Sequence, residues 1–241
     1  RRVSTWLYFA VLLALTYYVA REVYVDNARR DGYFFNAPFV IAVMTFLGSL
    51  MGLLSATQLA GDAAARDVQT RMDPLFYTTP VGKDAYLRGR FLAAFILYAM
   101  ILTAVPLGLV LAAVVPGPEA ELMGPFRPAA YLGAYLSLAL PNAFVATAFL
   151  FSMAVLGRRA SASYLGSLLL FSVVVFSRVF VAGTLKWWSL AKLLDPFGWS
   201  VLGELSSVWT PVEKSTRLIG LQGSVLLNRF LWIGIALGVL A

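Results

Sequence analysis

Long apolar runs separated by shorter polar stretches are the main pattern along this chain. Five runs are long enough, or nearly so, for the roughly 20 residues that cross the hydrocarbon core of a membrane as a helix: residues 4–20, 37–60, 91–115, 129–157 and 160–182. A sixth run, 229–241, is still apolar where the sequence stops. The pattern predicts an all-α integral membrane protein with six transmembrane helices over 1–241. The sixth is cut short, which predicts a polypeptide that continues beyond Ala241.

The connection between spans two and three, residues 61–90, is unusually rich in charge. It holds nine charged residues: Asp62, Arg66, Asp67, Arg71, Asp73, Lys83, Asp84, Arg88 and Arg90. Three acid–base pairs in it stand four positions apart: Asp62 with Arg66, Asp67 with Arg71, and Asp84 with Arg88. An acid four positions before a base stabilises a helix, and the alanines at 63–65 favour one. The segment therefore predicts a charged helix over 62–72.

An apolar group follows this helix, which ends ahead of Pro74 because a residue before proline avoids the helical conformation. The group has three members: Leu75, Phe76 and Tyr77. A solvated elbow whose arginines bind lipid headgroups would explain the charges, but it would leave these three side chains in water. We therefore predict that the 62–72 helix and the apolar group contact a partner outside the membrane. Residues 84–90 are interpreted as the charged foot of span three.

The segment before the last span, residues 183–228, is too long for a plain loop and too apolar for a free one. It carries four tryptophans: Trp187, Trp188, Trp199 and Trp209. Tryptophan favours the membrane–water interface. We expect one or two short helices that lie in the outer leaflet or dip into it, with breaks at Asp195–Pro196 and Thr210–Pro211. A small extracytoplasmic cap is the alternative.

The basic residues indicate which ends of the spans face the cytoplasm. With residues 1–2, 61–90 and 158–159 inside, nine Lys and Arg residues fall within about 34 residues, against ten within about 81 residues on the other side. The positive-inside rule favours this orientation. It places the N-terminus in the cytoplasm.

The composition excludes several kinds of chemistry. The chain has no His and no Cys, so His-based metal or acid–base sites, disulfides and thiol chemistry are excluded within it. It has no GxxxxGK[ST] sequence, and therefore no P-loop for ATP. The net charge of +7 is explained by membrane lipid with anionic headgroups. The sequence shows no face that combines basic and aromatic residues, as nucleic-acid binding would require.

Ionisable groups inside the spans are scarce. The first five spans have no carboxylate near their centres, which disfavours a carrier driven by protons or sodium, although the backbone and Asn142 leave that class open. Arg178, near the outer end of span five, is expected to extend its head to the interface. Pro141 lies beside Asn142 inside span four, where a proline permits either a static kink or a hinge.

With these residues in view, the chain resembles the ABC-2 class of ABC transporter permeases, which have six spans and a short amphipathic helix between spans two and three. Residues 66–90 read RDVQTRMDPLFYTTPVGKDAYLRGR, similar to the family's charged helix, Thr-Pro-Val turn and Tyr-Leu-x-Gly-Arg lead into span three. Residues 194–198, 209–210 and 228–232 are similar to bacterial permeases fused to an M1-type aminopeptidase. The resemblance covers nearly all of the chain. No His-Glu-x-x-His zinc motif is present, so any peptidase would lie outside this sequence.

The resemblance implies a division of labour at the bacterial inner membrane. A cytoplasmic ABC ATPase dimer would bind ATP and Mg, and this chain would hold no catalytic residue, cofactor or metal. A second six-helix unit, from the same polypeptide or another copy, would complete a path lined by apolar faces of spans two and five. The ATPase contact would consist of Asp62, Arg66, Asp67, Arg71, Leu75, Phe76 and Tyr77. A membrane scaffold that transports nothing is the alternative, and the substrate is not indicated.

Overall fold

The computed structural model describes residues 3–69, 82–115 and 120–241, with the side chains of all of these except 67–69 and 120. Every regular element in these ranges is helical. The α-helices are α1 (Val3–Val19), α2 (Val25–Asp31), α3 (Pro38–Met51), α4 (Leu53–Gln69), α5 (Lys83–Leu102), α6 (Ala104–Val114), α7 (Pro128–Ala134), α8 (Leu140–Gly157), α9 (Ser161–Val175), α10 (Trp188–Leu194), α11 (Trp199–Ser207), α12 (Pro211–Thr216) and α13 (Gly223–Leu240). Wider π-type turns continue the helices at Ala20–Tyr24, Tyr135–Ala139 and Phe176–Thr184, and a 3-10 turn covers Ala120–Leu122.

Five helical stretches are long and apolar enough to cross a membrane: Val3–Asp31, Lys83–Val114, Pro128–Gly157, Ser161–Thr184 and Gly223–Leu240. The pair α3 and α4, which meet at a 44° bend, makes a sixth if the two helices are counted as one span. By length and composition the chain is therefore a multi-pass membrane protein, and the prediction of an all-α fold is confirmed for the described residues. Two of the helices are longer than the sequence predicted. The first continues to Asp31, and the last begins at Gly223.

The bend in the second span lies at Gly52 and is fixed by a tyrosine from the third span. The hydroxyl of Tyr98, which is fully buried, donates to the carbonyl oxygen of Ser49 at 2.9 Å. A Cβ atom on Gly52 would lie 2.9 Å from that hydroxyl, and one on Gly48 would lie 2.3 Å from a methyl of Val105. Small residues let helix backbones approach closely, so the Gly48–Gly52 pair serves packing inside this unit.

The predicted charged helix is a continuation of the second span, because α4 runs unbroken through Gly61 to Gln69. Gly61 is the point where α4 meets the turn between α8 and α9. A Cβ atom there would lie 2.9 Å from the carbonyl oxygen of Ala160 and 2.5 Å from the hydroxyl of Ser163. Ser163 in turn donates to the carbonyl oxygen of Thr57 at 3.0 Å. The α8–α9 turn is thus packed directly against the charged part of α4.

The 183–228 segment forms three short helices at the opposite end of the bundle. Both expected breaks are present, because α10 ends at Leu194 and α12 begins at Pro211. We call α10, α11 and the turn between them the cap hairpin. Its turn is buried in the bundle: Phe197 is fully enclosed, and Trp199 stacks on Phe46 of α3 with ring centres 5.3 Å apart.

Candidate functional site

One candidate site is the charged end of the bundle, where α4 meets the α8–α9 turn. Asp62 is half-buried and Arg66 is exposed on α4, whereas Ala65 between them is buried against the bundle. Arg66 lies close enough to Arg90 at the foot of α5 for the two charges to repel each other. The guanidinium of Arg90 lies 5.2 Å from the ring centre of Tyr86. This end of the bundle is therefore strongly basic.

Most of the other residues of the predicted partner contact lie outside the residues that the structure describes. The backbone of Asp67 lies in α4, but its side chain is not described. Four predicted contact residues lie outside the described residues altogether: Arg71, Leu75, Phe76 and Tyr77. Their grouping remains a prediction from the sequence.

The structure places two residues beside the charged end that the sequence analysis assigned to the same side of the membrane but did not include in the partner contact. Arg158 and Arg159 form the exposed α8–α9 turn, and Arg158 adopts the left-handed conformation (φ 50°) that often closes a helix. The packing of Ala160 against Gly61 brings this turn beside the charged part of α4. The sequence shows an Arg-Arg pair between two apolar spans, but it does not show which helix this turn packs against.

A second candidate site is a buried polar cluster beneath the cap hairpin. Asp195 is fully buried, and its carboxylate accepts N–H bonds from Phe197 and Gly198, both at 3.0 Å, and from Ser200 at 2.5 Å. Negative charge is stabilised at a helix N-terminus. Asp195 therefore caps α11 and fixes the tight turn of the hairpin.

The start of α13 locks onto this turn through two polar side chains. The amide of Asn228 donates to the carbonyl oxygens of Lys192 at 2.6 Å and Asp195 at 2.9 Å. The guanidinium of Arg229, only 3% exposed, occupies the space that a Cβ atom on Gly198 would need. It is attracted electrostatically by Asp195. Among the described residues, Asp195 is the buried acid that offsets this charge.

Arg229 also reaches the hinge candidate in the fourth span. Its Nη1 donates to the side-chain oxygen of Asn142, which is fully buried. Asn142 follows Pro141 at the start of α8, directly after the π-type turn Tyr135–Ala139. Irregular turns of this kind often mark functional positions in helices. The structure therefore places Pro141 and Asn142 at a local irregularity, and whether that irregularity moves is a prediction.

Arg178, which the sequence analysis expected to extend to the interface, contacts two tryptophans of the cap hairpin. It is half-buried, and its guanidinium lies 5.0 Å from the ring centre of Trp188 and 5.8 Å from that of Trp199. Two aromatic faces in the cap hairpin hold the cation more favourably than an apolar surface would. Beside it, Lys192 and Glu204 form a 2.5 Å ion pair that joins α10 to α11.

The sequence analysis predicted a helix break at Asp195–Pro196 but noted residues 228–232 only through a family resemblance. For Arg229, the sequence itself offered only one observation, a single charge at the start of an apolar run. A charged residue in such a position is a candidate functional residue in a membrane protein. Within the described ranges, no group of three or more Asp and Glu side chains is arranged to hold a metal ion. Comparison of the chain with protein-family models, curated proteins and solved structures found no match.

Proposed function

We propose that this chain is the membrane-spanning permease unit of an ATP-driven transporter of the ABC-2 type in the bacterial inner membrane. The observation that carries the proposal is α4, one continuous helix that runs from the second span to the charged end of the bundle, where it carries Asp62 and Arg66. A rigid helix of this kind can pass a displacement at its charged end directly to the spans. The partner would be a cytoplasmic ABC ATPase dimer that binds ATP and Mg.

The packing around Gly61 supports a mechanical role for the charged end. Its close contact with Ala160 and Ser163 leaves no space between α4 and the α8–α9 turn. Close-packed elements move together, because a gap would forfeit dispersion contacts. A push on α4 would therefore move α8 and α9 as well. We add Arg158 and Arg159 to the partner contact on this ground.

A cleft beside the bend supports the predicted path along spans two and five. It has a volume of about 450 Å³ and lies between the α3–α4 bend and α9, with Met51 and Leu54 on one side and Leu168 and Phe171 on the other. Its walls are almost entirely apolar. In the proposed transporter, a second six-helix unit would face this cleft, and an apolar or amphipathic cargo would suit its surface.

The proposal is tested by purifying the full polypeptide from its native membrane under mild conditions. Recovery of an ATPase with a P-loop in stoichiometric amount supports the permease. Its absence favours the alternative, a scaffold without transport activity.

Charge reversals then locate the coupling. Arg66→Glu and Arg71→Glu should abolish stimulation of the ATPase by the membrane unit, with normal insertion and yield. Arg88→Glu is the matched control, because it makes the same change at the foot of α5 and should leave stimulation intact. Unchanged stimulation in both Arg66→Glu and Arg71→Glu would show that the charged end is not the contact.

A further inference from the structure

The polar cluster under the cap hairpin contains more buried hydrogen-bonding groups than it pairs. Within the described part of the chain, three of its atoms have no protein partner: Arg229 Nε, Asn142 Nδ2 and Asn228 Oδ1. The three residues are at most 3% exposed. A buried polar network that is only partly satisfied costs free energy, and a buried charge costs more than a neutral group. The closed packing of the cap hairpin is therefore held at an energetic cost.

Two spans form hydrogen bonds with the cap hairpin from different sides. From α13, the indole N–H of Trp232 donates to the carbonyl oxygen of Leu193 at 3.0 Å. At the end of the fifth span, the hydroxyl of Ser177 donates to the carbonyl oxygen of Ala191 at 2.6 Å and lies 3.3 Å from that of Ser200. These contacts hold the hairpin, but they are local to it. None of them reaches the fourth span.

Arg229 is different because it joins the hairpin to the fourth span. Nη2 of its guanidinium lies against Gly198 in the hairpin turn, and Nη1 donates to Asn142 beside Pro141. The bond therefore links the irregular start of α8 to the hairpin turn. When it breaks, Arg229 and Asn142 both become free to pair with water, which would relieve the cost of their unpaired atoms.

We propose that the Arg229–Asn142 hydrogen bond is a releasable latch that holds the cap hairpin closed over the bundle, and that opening of this end of the path requires it to break. The inference rests on the proposed transport function for its purpose. The latch itself is defined by Arg229, Asn142 and the Gly198 turn, so it can be tested without ATP.

The test uses single cysteines, because the chain has none of its own. Ser200→Cys reports on the hairpin, since Ser200 is fully buried under it. Ser55→Cys is the matched control, because Ser55 is 3% exposed on α4, away from the hairpin. The rate of labelling by a water-soluble maleimide is measured for each cysteine in membranes, with and without Arg229→Met or Asn142→Ala.

If the latch exists, either variant should raise labelling at position 200 by about tenfold or more, the effect of losing one charge-assisted hydrogen bond on an opening equilibrium. Labelling at position 55 should not change. Unchanged labelling at position 200 in both variants would overturn the proposal. A rise at both positions in both variants would also overturn it, because Arg229 would then simply maintain the fold.

A second measurement separates a moving latch from a static one. In membranes that contain the partner ATPase, the Ser200→Cys protein with Arg229 and Asn142 intact should label faster during ATP turnover. If position 200 stays protected while the ATPase is stimulated, the latch does not open in transport and the inference is wrong. A failure of the Arg66 and Arg71 coupling assay would remove the transporter proposal, whereas labelling without ATP would still decide whether the latch exists.

Discussion

The side-chain amide of Asn228 donates a hydrogen bond to the backbone carbonyl of Asp195 at 2.9 Å. These residues stand 33 positions apart and belong to two short sequences that look unrelated along the chain. The contact joins the turn of the cap hairpin to the start of α13. Because Asn142 binds the neighbouring Arg229, the same contact region extends to the fourth span.

Removing both charges of the buried cluster should cost less than the two single changes added together. Arg229→Met leaves Asp195 without the buried cation that attracts it, and Asp195→Asn does the reverse. Each single change should lower stability, because it leaves one buried charge less well compensated. The double variant should lose clearly less than the sum. Thermal denaturation of the detergent-solubilised protein measures all three, and strict additivity would show that the two charges are not coupled.

A matched pair of glycine substitutions tests the contact between α4 and the α8–α9 turn. Gly61→Ala forces a Cβ atom to within 2.9 Å of the carbonyl oxygen of Ala160, so we expect a loss of about 1–3 kcal/mol from overpacking. Gly89→Ala lies in α5 with nothing within 4 Å and should be neutral or slightly stabilising. The melting temperatures of the two variants provide the measurement. Equal values would contradict the close contact at Gly61.

Arg178 should stabilise the cap hairpin through its stacking on tryptophan. Arg178→Lys keeps the charge but loses the planar guanidinium that stacks on aromatic faces. We expect it to cost about 1 kcal/mol, within the range for cation–π contacts, and Arg178→Leu to cost at least as much. The exposed Arg30 provides the control, since Arg30→Leu should have little effect on the melting temperature. A fully tolerated Arg178→Leu would show that the stacking adds nothing.

Helix α12 should lose its cap in acid. The backbone N–H and the hydroxyl of Thr210 donate to Glu213 at 2.9 and 3.2 Å, and these bonds hold the pKa of that carboxyl below its ordinary value. A depressed pKa gives stabilisation that is complete above the ordinary pKa of glutamate and is lost as the pH falls through the lowered value.

Hydrogen exchange along α12 measures this loss. The protected amides include those of Lys214 and Arg217, whose backbone N–H groups donate to the carbonyl oxygens of Thr210 and Glu213, respectively. Glu213→Gln keeps an acceptor that does not titrate. The ratio of exchange rates between the variant and the unaltered protein should therefore change with pH in the acidic range. A constant ratio would mean that Glu213 does not stabilise the cap through its charge.

The hydrophobic pattern predicted most of the architecture because each span is set by a local property, the length of an apolar run. The breaks of the cap segment were equally local, since Pro196 and Pro211 interrupt helices wherever they occur. The charged pair Asp62 and Arg66 predicted a helix correctly for the same reason. Its continuity with the second span was not predicted, because the apolar run ends at Ala60, and the end of an apolar run does not show whether the helix itself continues.

The sequence by itself therefore determined the all-helical membrane class of the protein, the approximate positions of its long apolar helices, and the charged character of the end that carries α4. Only the tertiary structure decided which faces of those helices meet. Lipid chains are as apolar as the interior of the bundle, so hydropathy does not distinguish a buried face from an exposed one. The partners of Arg229 and Arg178 follow from that packing. Arg229 contacts Gly198 and Asn142, and Arg178 lies near the rings of two tryptophans.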